Sequence, residues 1–364
     1  ATFGIFASRE PYQIPVVSES QVIMFAGLSQ TAYQDAIAEI KQKLAAGESY
    51  QVNFTHQLTG EISGDFESLF FTLVGAQEST YASYIEFEDQ VICSISPELF
   101  FELNGDDIRT EPMKGTRPRG RFLEEDQRIK VDLAGSMKDR AENLMIVDMI
   151  RNDLSRIALP GSVVADHLFE LRQLPTVWQQ VSTVKAKTNA GLREIFTAMF
   201  PCASVTGAPK AATMSIIKTL ESAPRGLYTG AIGWVGPGRQ MRFGVAIRTL
   251  LIDKQNRAAG YGVGGGIVWD SDAAEEWQES LTKADVLMYR QPAFQLLETM
   301  RYDNQQGVHQ ATYHLDRMRA SADYFGFQFP ATRLADELSG YHNTANKKLR
   351  LLLSADGCYE LEVS

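Results

Sequence analysis

Hydrophobic and polar positions follow two different periods along the chain, which predicts a protein that mixes helices with strands. Residues 33–44 place apolar side chains three or four positions apart, between Ser29 and Gly47, so they are expected to form a helix with defined ends. Residues 50–58 alternate, which is typical of a β-strand. The polar face of that strand, which begins with Gln51, either meets solvent or lines a cleft, and the pattern leaves both interpretations open.

The same two periods continue over the rest of the chain. Helices are predicted over residues 66–74, 124–153, 191–200 and 272–288, and strands over residues 81–87, 90–95, 99–103, 177–187, 227–235, 241–253, 259–269 and 294–301. Residues 1–28 are mixed in character and are expected to add one or two edge strands.

Composition narrows the class of protein. The chain has 364 residues, of which 44% are hydrophobic and 22% are charged, and this fits a globular protein with a large core. No apolar run approaches the roughly 20 residues that span a bilayer, the start shows no secretory signal pattern, and three scattered cysteines favour reduced thiols. We therefore expect a cytoplasmic protein without membrane contact. The formal net charge of −10 disfavours nucleic acid as a partner and means that an anionic substrate needs local cations or a metal.

The most unusual local feature is Lys114. It lies in the stretch EPMKGT, residues 111–116, and is followed by Arg117, Arg119 and Arg121. The proline fixes φ and the glycine frees it, so a tight loop is expected. Nearby positive charge disfavours an ammonium group, so we expect a lowered lysine pKa, and a neutral lysine is a nucleophile. The stretch by itself favours the simpler interpretation, a basic turn on the surface.

Two predicted helices carry pairs of carboxylates. Asp139 and Glu142 stand three residues apart on one helix, and Glu276 and Glu279 do so on the other, with Lys283 on the same face. Oxygen ligands from two helices would suit Mg²⁺. A solvated charged face with a Glu279–Lys283 ion pair explains either pair taken alone, and is the commoner situation.

Other motifs are weaker. Residues 260–265 match GxGxxG, but these glycines lie inside a predicted strand, so they indicate close approach of a ligand or a strand rather than a dinucleotide site. The histidines lack metal-ligand spacing, and neither a GxSxG nor a P-loop motif is present. Residues 205–210 open a helix at Pro209, whose free N–H groups would serve either a helix cap or a bound carboxylate.

Seven segments, taken in order, resemble the chorismate-utilising enzymes, a family that includes the anthranilate, aminodeoxychorismate, isochorismate and salicylate synthases. They are the Lys114 stretch, AENLMIVD (141–148), RNDL (151–154), VTGAPK (205–210), RGLYTG (225–230), AIRT (246–249) and GGGIV (264–268). The resemblance covers about residues 29–289. It implies an α+β fold like that of anthranilate synthase component I, with a large antiparallel β core of packed sheets, helices outside and a Mg²⁺-dependent site in a deep cleft.

Two positions of the resemblance select a branch of the family. Gln51 stands where the isochorismate and salicylate synthases carry a lysine that activates water, and Lys114 stands where anthranilate synthase carries alanine. The resemblance therefore implies the reaction of aminodeoxychorismate synthase component I. That reaction is the amination of chorismate at C4, here through a covalent intermediate on Lys114, for 4-aminobenzoate and folate biosynthesis. Anthranilate synthase component I and a non-catalytic chorismate-binding protein are the alternatives.

The resemblance also assigns the remaining site residues. Glu142 and Glu279 match direct Mg²⁺ ligands, and Asp139 and Glu276 match acids that reach the metal through water. Glu98 matches the acid that helps the C4 hydroxyl to leave. The positions that match groups binding or lining the substrate pocket are Gln51, Thr206, Tyr228, Arg248, Gly264, Gly265 and Lys283.

The chain departs from the family pattern at two positions. Gln179 and Asn143 replace histidines that many members carry, and an amide cannot shuttle a proton, so any histidine-dependent step is in doubt. Ammonia is expected from a separate glutamine amidotransferase subunit, as in the family. None of the three cysteines lies in a nucleophile motif.

The C-terminal residues 294–364 resemble the start of aminodeoxychorismate lyase, a pyridoxal phosphate enzyme. Lys347 and Lys348 do not match the Schiff-base lysine of that enzyme, so neither bound pyridoxal phosphate nor lyase activity is expected. The predicted domains are residues 1–28 as a remnant packing on the core, 29–289 as the chorismate-binding catalytic domain and 294–364 as a partial lyase-like segment.

Overall fold

The computed structural model describes residues 2–77, 79–288 and 294–364. The chain divides into two compact units. The first unit comprises Ala1–Thr116, Ser136–Leu174 and Gln179–Arg290, and the second comprises Arg117–Gly135, Pro175–Trp178 and Gln291–Ser364. The second unit thus joins the C-terminal residues with two short segments from within the predicted catalytic domain. The three predicted domains and the likeness of residues 294–364 to a lyase stay predictions.

Helices and strands are interleaved along the described residues. In chain order the helices are α1 (Gln30–Ala45), α2 (Phe66–Gln77), α3 (Leu123–Gly135), α4 (Met137–Ser155), α5 (Leu192–Met199), α6 (Lys210–Leu220), α7 (Ala273–Thr282), α8 (Ala311–Phe325) and α9 (Ala331–Gly340). Within the part of the chain that the structure describes, no helix is both long and apolar enough to cross a membrane.

The strands are mostly short. They are β1 (Gln21–Ala26), β2 (Gln51–Ser63), β3 (Tyr81–Glu86), β4 (Gln90–Ser96), β5 (Leu99–Asn104), β6 (Asp107–Glu111), β7 (Met113–Pro118), β8 (Val164–Gln173), β9 (Val177–Lys187), β10 (Gly207–Ala208), β11 (Ala231–Gly236), β12 (Gln240–Val245), β13 (Thr249–Asp253), β14 (Ala258–Ile267), β15 (Leu296–Asp303), β16 (Gly307–Val308), β17 (Lys347–Leu353) and β18 (Tyr359–Val363).

Three sheets organise these strands. One seven-stranded sheet has the order β1-β2-β14-β13-β4-β3, with β10 also paired to β2, and the other has the order β11-β12-β5-β6-β9-β7, with β8 paired to β9. A four-stranded sheet, β16-β15-β17-β18, belongs to the second unit. Among the described strands, each pair with a defined register is antiparallel, for example β2 with β14 and β5 with β6.

The helices of the first unit cover its sheets through apolar clusters. Tyr33 of α1 and Trp277 of α7 pack with Phe54 of β2, while Ile146 and other residues of α4 pack with Phe101 and its neighbours in the second sheet. Burial of this apolar surface is the main force that holds helices against strands. The predicted α+β fold, with a large antiparallel β core and helices outside, is confirmed.

The long helix predicted over residues 124–153 is wrong, because two helices occupy this region. Helix α3 ends at Gly135 and α4 begins after Ser136, whose hydroxyl accepts the Asp139 N–H over 3.3 Å as an N-cap. In an uninterrupted helix this N–H would donate to a backbone carbonyl one turn earlier. Here the serine hydroxyl accepts the hydrogen bond instead, and a new helix begins. The break separates the units, since α3 belongs to the second and α4 to the first.

The long strand predicted over residues 241–253 is also interrupted. Strand β12 ends at Val245 and β13 begins at Thr249, and between them Arg248 has a φ of 49°. Few residues other than glycine adopt this left-handed backbone, and such positions are concentrated at functional sites. Alternation of side chains alone could not show this break.

Candidate active site

Lys114 lies on strand β7, rather than in the tight loop that its flanking proline and glycine predict. The following Gly115 has a φ of 88°, which glycine adopts without strain. Gln179 of β9 holds this strand, since its Nε2 donates to the Gly115 carbonyl over 2.9 Å and its Oε1 accepts from the Thr116 hydroxyl over 2.8 Å. The glutamine that departs from the family pattern is therefore an anchor for the strand that bears Lys114.

The three arginines that follow Lys114 are paired with carboxylates of α3. The pairs are Arg117 with Asp132 at 3.8 Å, Arg119 with Asp126 at 2.8 Å and Arg121 with Glu125 at 2.9 Å. The charge of Lys114 instead lowers the pKa values of three acids, Glu98, Glu142 and Glu279. Carboxylates of α3 offset the charges of these arginines, and the expected effect of the arginines on Lys114 stays a prediction.

The Lys114 ammonium lies against the glycine-rich strand β14. A Cβ placed on Gly266 would be 3.1 Å from Lys114 Nζ and 2.5 Å from Gln51 Nε2. Gln51, on the neighbouring β2, is fully buried, and neither of its amide atoms has a hydrogen-bond partner among the described residues. A buried polar group without a partner costs about 1–3 kcal/mol. A bound molecule that paired with this amide would offset that cost.

The interpretation of these glycines as points of close approach is confirmed. A Cβ on Gly264 would come within 2.2 Å of the Phe54 carbonyl oxygen, and one on Gly260 within 2.4 Å of the Gln57 amide. Strand β14 lies between β2 and β13 inside an antiparallel sheet, which is not the strand-to-helix context of a dinucleotide motif. One face of the strand, which carries Gly260, Gly262, Gly264 and Gly266, therefore has no side chains, and neighbouring groups approach it closely. The same packing encloses the first half of the polar face of β2, so that half does not meet solvent, and its role in lining a cleft stays a prediction.

Glu98 is the buried acid of this region. It lies just after β4, it is 4% exposed, and burial raises the pKa of its carboxyl to about 7. The Ser204 hydroxyl, the Lys114 charge and the Met113 N–H act in the opposite direction and lower that pKa. Its Oε1 has no hydrogen-bond partner among the described residues. A carboxyl group that is partly protonated near neutral pH is able to act as a general acid.

The four predicted carboxylates lie on two helices of the first unit, Asp139 and Glu142 on α4 and Glu276 and Glu279 on α7. Burial raises the pKa of Glu142, the charges of nearby lysines lower it, and the charges of Asp139 and Glu279 raise it. The effect of Glu279 on Glu142 shows that the acids of α4 and α7 share one electrostatic neighbourhood.

The acids of α7 already have protein partners. Glu279 Oε1 lies 2.9 Å from Lys283 Nζ, and this lysine is the main cause of a lowered pKa at Glu279. Glu276 accepts a hydrogen bond of 2.7 Å from the Ser271 hydroxyl, while burial raises its pKa. Lys283 stands at the end of α7 and also donates to the Gly264 carbonyl over 2.7 Å. The ion pair that the sequence offered as an alternative is therefore present.

The ligand type of these acids suits Mg²⁺, which prefers oxygen atoms and retains water. Within residues 2–77, 79–288 and 294–364, no three histidine, cysteine or acidic side chains converge closely enough to hold a metal ion. The four acids therefore match the ion in ligand type and charge, and their binding of Mg²⁺ stays a prediction.

Two larger polar side chains lie beside β14. A Cβ on Gly262 would meet the Tyr228 ring at 2.2 Å, and burial raises the pKa of the Tyr228 phenol. The Arg248 guanidinium donates to Gln77 Oε1 over 2.8 Å. Burial lowers the pKa of Arg248, and the nearby Tyr261 of β14 raises it. Tyr228 therefore packs against β14, while Arg248 is near enough to Tyr261 of that strand for the phenol to affect the pKa of the guanidinium.

The remaining predicted site residues, Gly265 and Thr206, differ in what their polar groups contact. A Cβ on Gly265 would lie 3.2 Å from Glu276 Oε2, so its backbone faces the acids of α7. Thr206 is buried, and its hydroxyl donates to the Cys202 carbonyl over 2.9 Å, while its own carbonyl accepts from the Asn53 N–H. Thr206 therefore shapes its turn instead of presenting a free hydroxyl.

Two further buried amides are Gln180 and Asn143. The sequence pattern did not single out Gln180 and did not predict a hydrogen-bond partner for Asn143. Gln180 is fully buried and neither of its amide atoms is hydrogen-bonded within the described part of the chain. Asn143 Oδ1 accepts from the Ser182 hydroxyl over 2.5 Å, and its Nδ2 lacks a partner there. Two adjacent glutamines within a predicted strand were the signal that could have revealed the first of these.

Comparisons with known proteins agree with the geometry. Residues 9–289 match the family model described as chorismate binding enzyme. Aminodeoxychorismate synthase component 1 of Klebsiella aerogenes is 39% identical over 267 residues, which cover 73% of this chain and 59% of that protein. Anthranilate synthase component 1 of Saccharolobus solfataricus is 35% identical over 264 residues, which cover 71% of this chain and 62% of that protein.

A solved structure has the same fold. The crystal structure of anthranilate synthase component I from Streptococcus pneumoniae TIGR4 superimposes with a TM-score of 0.68 at 28% identity, covering 75% of this chain and 60% of that chain. The chain spans about three fifths of the length of these relatives. Because the family model matches far more than half of its residues, the chain belongs to the chorismate binding enzyme family.

Proposed function

We propose that the chain is the component I of an aminodeoxychorismate synthase, which aminates chorismate at C4. The observation that carries this proposal is the placement of Lys114. Its ammonium lies beside Gly266 and the unpaired amide of Gln51, and its charge acts on the buried acid Glu98. An amine nucleophile and a buried acid are the groups that displacement of a hydroxyl requires. Relatives with this name support the assignment.

The substrate of the proposed reaction is a dianion. A chain with a net charge of −10 needs local cations to bind it. Arg248 and Lys283 would supply positive charge, Tyr228 would supply a hydroxyl, and the backbone at residues 264–265 would supply hydrogen-bonding groups. The turn at Thr206 would line the pocket. Gln51, whose amide is unpaired, would donate to or accept from the substrate beside Lys114.

Mg²⁺ is the cofactor that we propose, held directly by Glu142 and Glu279 and through water by Asp139 and Glu276. When bound, the ion would supply positive charge to the ring carboxylate of chorismate. The burial that raises the pKa of Glu142 also makes a cationic partner more favourable for its carboxylate.

Lys114 would act as the nucleophile and Glu98 as the acid in the first half of the reaction. The free amine of Lys114 forms a bond to C2 of chorismate, both ring double bonds shift, and the C4–O bond breaks. Hydroxide is a poor leaving group, so the Glu98 proton passes to the departing oxygen and water is released.

The second half of the reaction returns the enzyme to its starting state. Ammonia forms a bond to C4, both ring double bonds shift back, and the C2–N bond to Lys114 breaks with its electron pair going to the lysine nitrogen. The added nitrogen then loses a proton, which restores Glu98. The sum of both halves is chorismate plus ammonia giving aminodeoxychorismate plus water.

The ammonia is proposed to come from a glutamine amidotransferase subunit. The designation component 1 in the names of the relatives implies a further component. The cysteines of this chain are poorly suited to release ammonia themselves. Burial raises the pKa of Cys93 and of Cys202 to about 12, and hydrogen bonding to Asp356 raises that of the exposed Cys358, so none favours the reactive thiolate.

Anthranilate synthase component I is the second candidate, and relatives of that name at 35% and 34% identity favour it. The presence of a lysine at position 114 argues against it, since the resemblance places alanine there in that enzyme. The two candidates differ in their product, which is aminodeoxychorismate in one case and anthranilate with pyruvate in the other.

Product analysis decides between them. The chain would be incubated with chorismate, Mg²⁺ and ammonium, and the products separated, for the wild type, for Lys114→Ala and for Lys218→Ala, an exposed lysine of α6. We expect aminodeoxychorismate from the wild type and the control only, and a chorismate-derived adduct on Lys114 in the denatured protein. Anthranilate as product would establish the second candidate. Absence of any turnover by the wild type would favour a non-catalytic binding protein.

The C-terminal segment, residues 294–364, is proposed to be a partial lyase-like module without pyridoxal phosphate. Lys347 and Lys348 stand at the start of β17. The appearance of a Schiff-base absorption band after addition of pyridoxal phosphate would contradict this assignment.

A further inference from the structure

A group of charged and aromatic side chains in the second unit centres on Arg119. Its guanidinium lies between two rings, 5.2 Å from the ring centroid of Trp178 and 4.9 Å from that of Tyr324. Its Nε and Nη2 donate to the two oxygens of Asp126 over 2.8 and 2.9 Å, and Nη2 also donates to the Tyr324 carbonyl over 2.9 Å. A stacked, bidentate arginine is a rigid anchor.

Further hydrogen bonds complete this group. Asp126 Oδ1 accepts from the Gly120 N–H over 2.8 Å and from Trp178 Nε1 over 3.0 Å, and the Tyr324 hydroxyl donates to the Gly120 carbonyl. The side chains of Arg119 and Asp126 are only 9% and 2% exposed. We call these five residues the clamp. It ties α8, which carries Tyr324, to two segments that lie far away in the sequence.

The two segments held by the clamp continue the strands that carry the candidate site. Arg119 comes directly after β7, the strand of Lys114, and Trp178 precedes Gln179, the anchor of that strand, on β9. The Arg119 N–H donates to the Thr176 carbonyl over 3.0 Å, so the two segments stay paired beyond β7. Loosening the clamp would therefore free the far ends of both strands.

We propose that Tyr324 and Arg119 are positioning residues for Lys114. The C-terminal segment, through Tyr324, then helps to hold β7, the strand that carries Lys114, in place. The inference rests on the proposed function only for its kinetic consequence, because the order of β7 is measurable without any substrate.

Amide hydrogen exchange tests the structural part. The variants are Tyr324→Ala, the milder Tyr324→Phe, which loses only the hydroxyl, and Tyr313→Ala, a change at an exposed tyrosine of the same helix. Loss of the stacking and of the hydrogen bond should speed exchange at residues 113–116 by about tenfold in Tyr324→Ala, less in Tyr324→Phe and not in Tyr313→Ala. Faster exchange confined to residues 117–135, 175–178 and 294–364 would overturn the proposal. If Tyr324→Ala fails to fold, the comparison of Tyr324→Phe with the control decides.

Kinetics test the functional part. With ammonium as the nitrogen donor, we expect kcat to fall about tenfold in Tyr324→Ala, while the KM for chorismate stays within about twofold. The rate of adduct formation on Lys114 should fall by the same factor as kcat. A kcat equal to that of Tyr313→Ala, in a folded Tyr324→Ala protein, would overturn the proposal. An inactive wild type would refute the proposed function instead and would leave the exchange result to decide the role of the clamp.

Discussion

Two buried acids, one in each unit, lie in opposite environments. Glu98 in the first unit is buried, its Oε1 lacks a partner among the described residues, and burial raises its pKa to about 7. Asp126 in the second unit is equally buried, but Arg119, Gly120 and Trp178 all donate to it, and these bonds hold its pKa below the usual value although burial acts against them. One oxygen of the carboxyl group is thus unpaired in Glu98, while both oxygens are paired in Asp126.

The contrast extends to other buried polar groups. Gln51 and Gln180 in the first unit have unpaired amides, while Glu298 in the second unit accepts from His314 Nδ1 over 2.6 Å and from an arginine. His309 Nε2 of the second unit also lacks a partner among the described residues, and Glu111 of the first unit is paired with Arg109 and Arg172, so the contrast holds for particular residues and not for each unit as a whole. Since an unpaired buried group lowers stability, its retention points to a function, and a fully paired one points to a structural role.

The largest expected effect is on catalysis. Glu98→Gln keeps the size of the side chain but removes its acidic proton, so kcat for chorismate amination should fall by about 10²–10³-fold. Steady-state kinetics with ammonium measure this, with Glu61→Gln, at an exposed position of β2, as the control. A fall smaller than about threefold would remove Glu98 from the acid role.

The corresponding acid-to-amide substitution in the second unit should lower the free energy of unfolding. Asp126→Asn leaves the Arg119 guanidinium buried without its counter-charge, and breaking a buried ion pair costs about 3 kcal/mol of unfolding free energy. Urea denaturation measures the loss. Asp132→Asn is the control, because its side chain is 75% exposed and its pair with Arg117 is long, so the change should be within about 0.5 kcal/mol. Equal effects of the two variants would contradict the assigned roles.

Dependence on pH should separate the two acids. The folded-state pKa of Glu98 lies above its ordinary value of 4.5, so its contribution to stability is complete below that pH and is lost as the pH rises through about 7. The proposed acid form falls about tenfold between pH 6 and pH 8, and kcat should fall with it. Asp126 has a lowered pKa, so its contribution is present above 3.8 and is lost on acidification.

Two measurements check this dependence. The first is kcat against pH for the wild type and Glu98→Gln, which should lack the alkaline fall. The second is urea stability against pH for wild type, Glu98→Gln and Asp126→Asn. An alkaline fall that persists in Glu98→Gln would assign it to another group.

The smallest expected effect is a gain in stability. Gln51→Met replaces an unpaired buried amide by an apolar side chain of similar length, so unfolding should cost about 1 kcal/mol more, while amination is weakened. Thermal or urea unfolding detects the gain. Gln57→Met, at an exposed position of the same strand, is the control. A loss of stability in Gln51→Met would show that this amide has a partner and would remove the contrast between the units at this position.

Local patterns predicted the elements well where the cause was local. The helix with its cap at Ser29 is observed as α1, residues 177–187 form β9 as predicted, and Gly47 follows α1 with a φ of 75°. Failures occurred where a single side chain changed the outcome, as with the cap at Ser136 and the left-handed Arg248. The periodicity of hydrophobic residues depends on many positions together. It therefore does not reveal the effect of a single capping serine or of a single residue with a left-handed backbone.

The sequence by itself determined which residue types were available, including Lys114, Glu98, the carboxylates at helical spacing and the glycines of β14. Only the tertiary structure decided their environment. It placed Lys114 among acids, buried Glu98 so that its pKa rises to about 7, and joined Arg119 with Tyr324 in a unit that sequence order would not suggest. The reason is physical: burial, charge and hydrogen bonding act through space, between groups that may lie hundreds of residues apart in the chain.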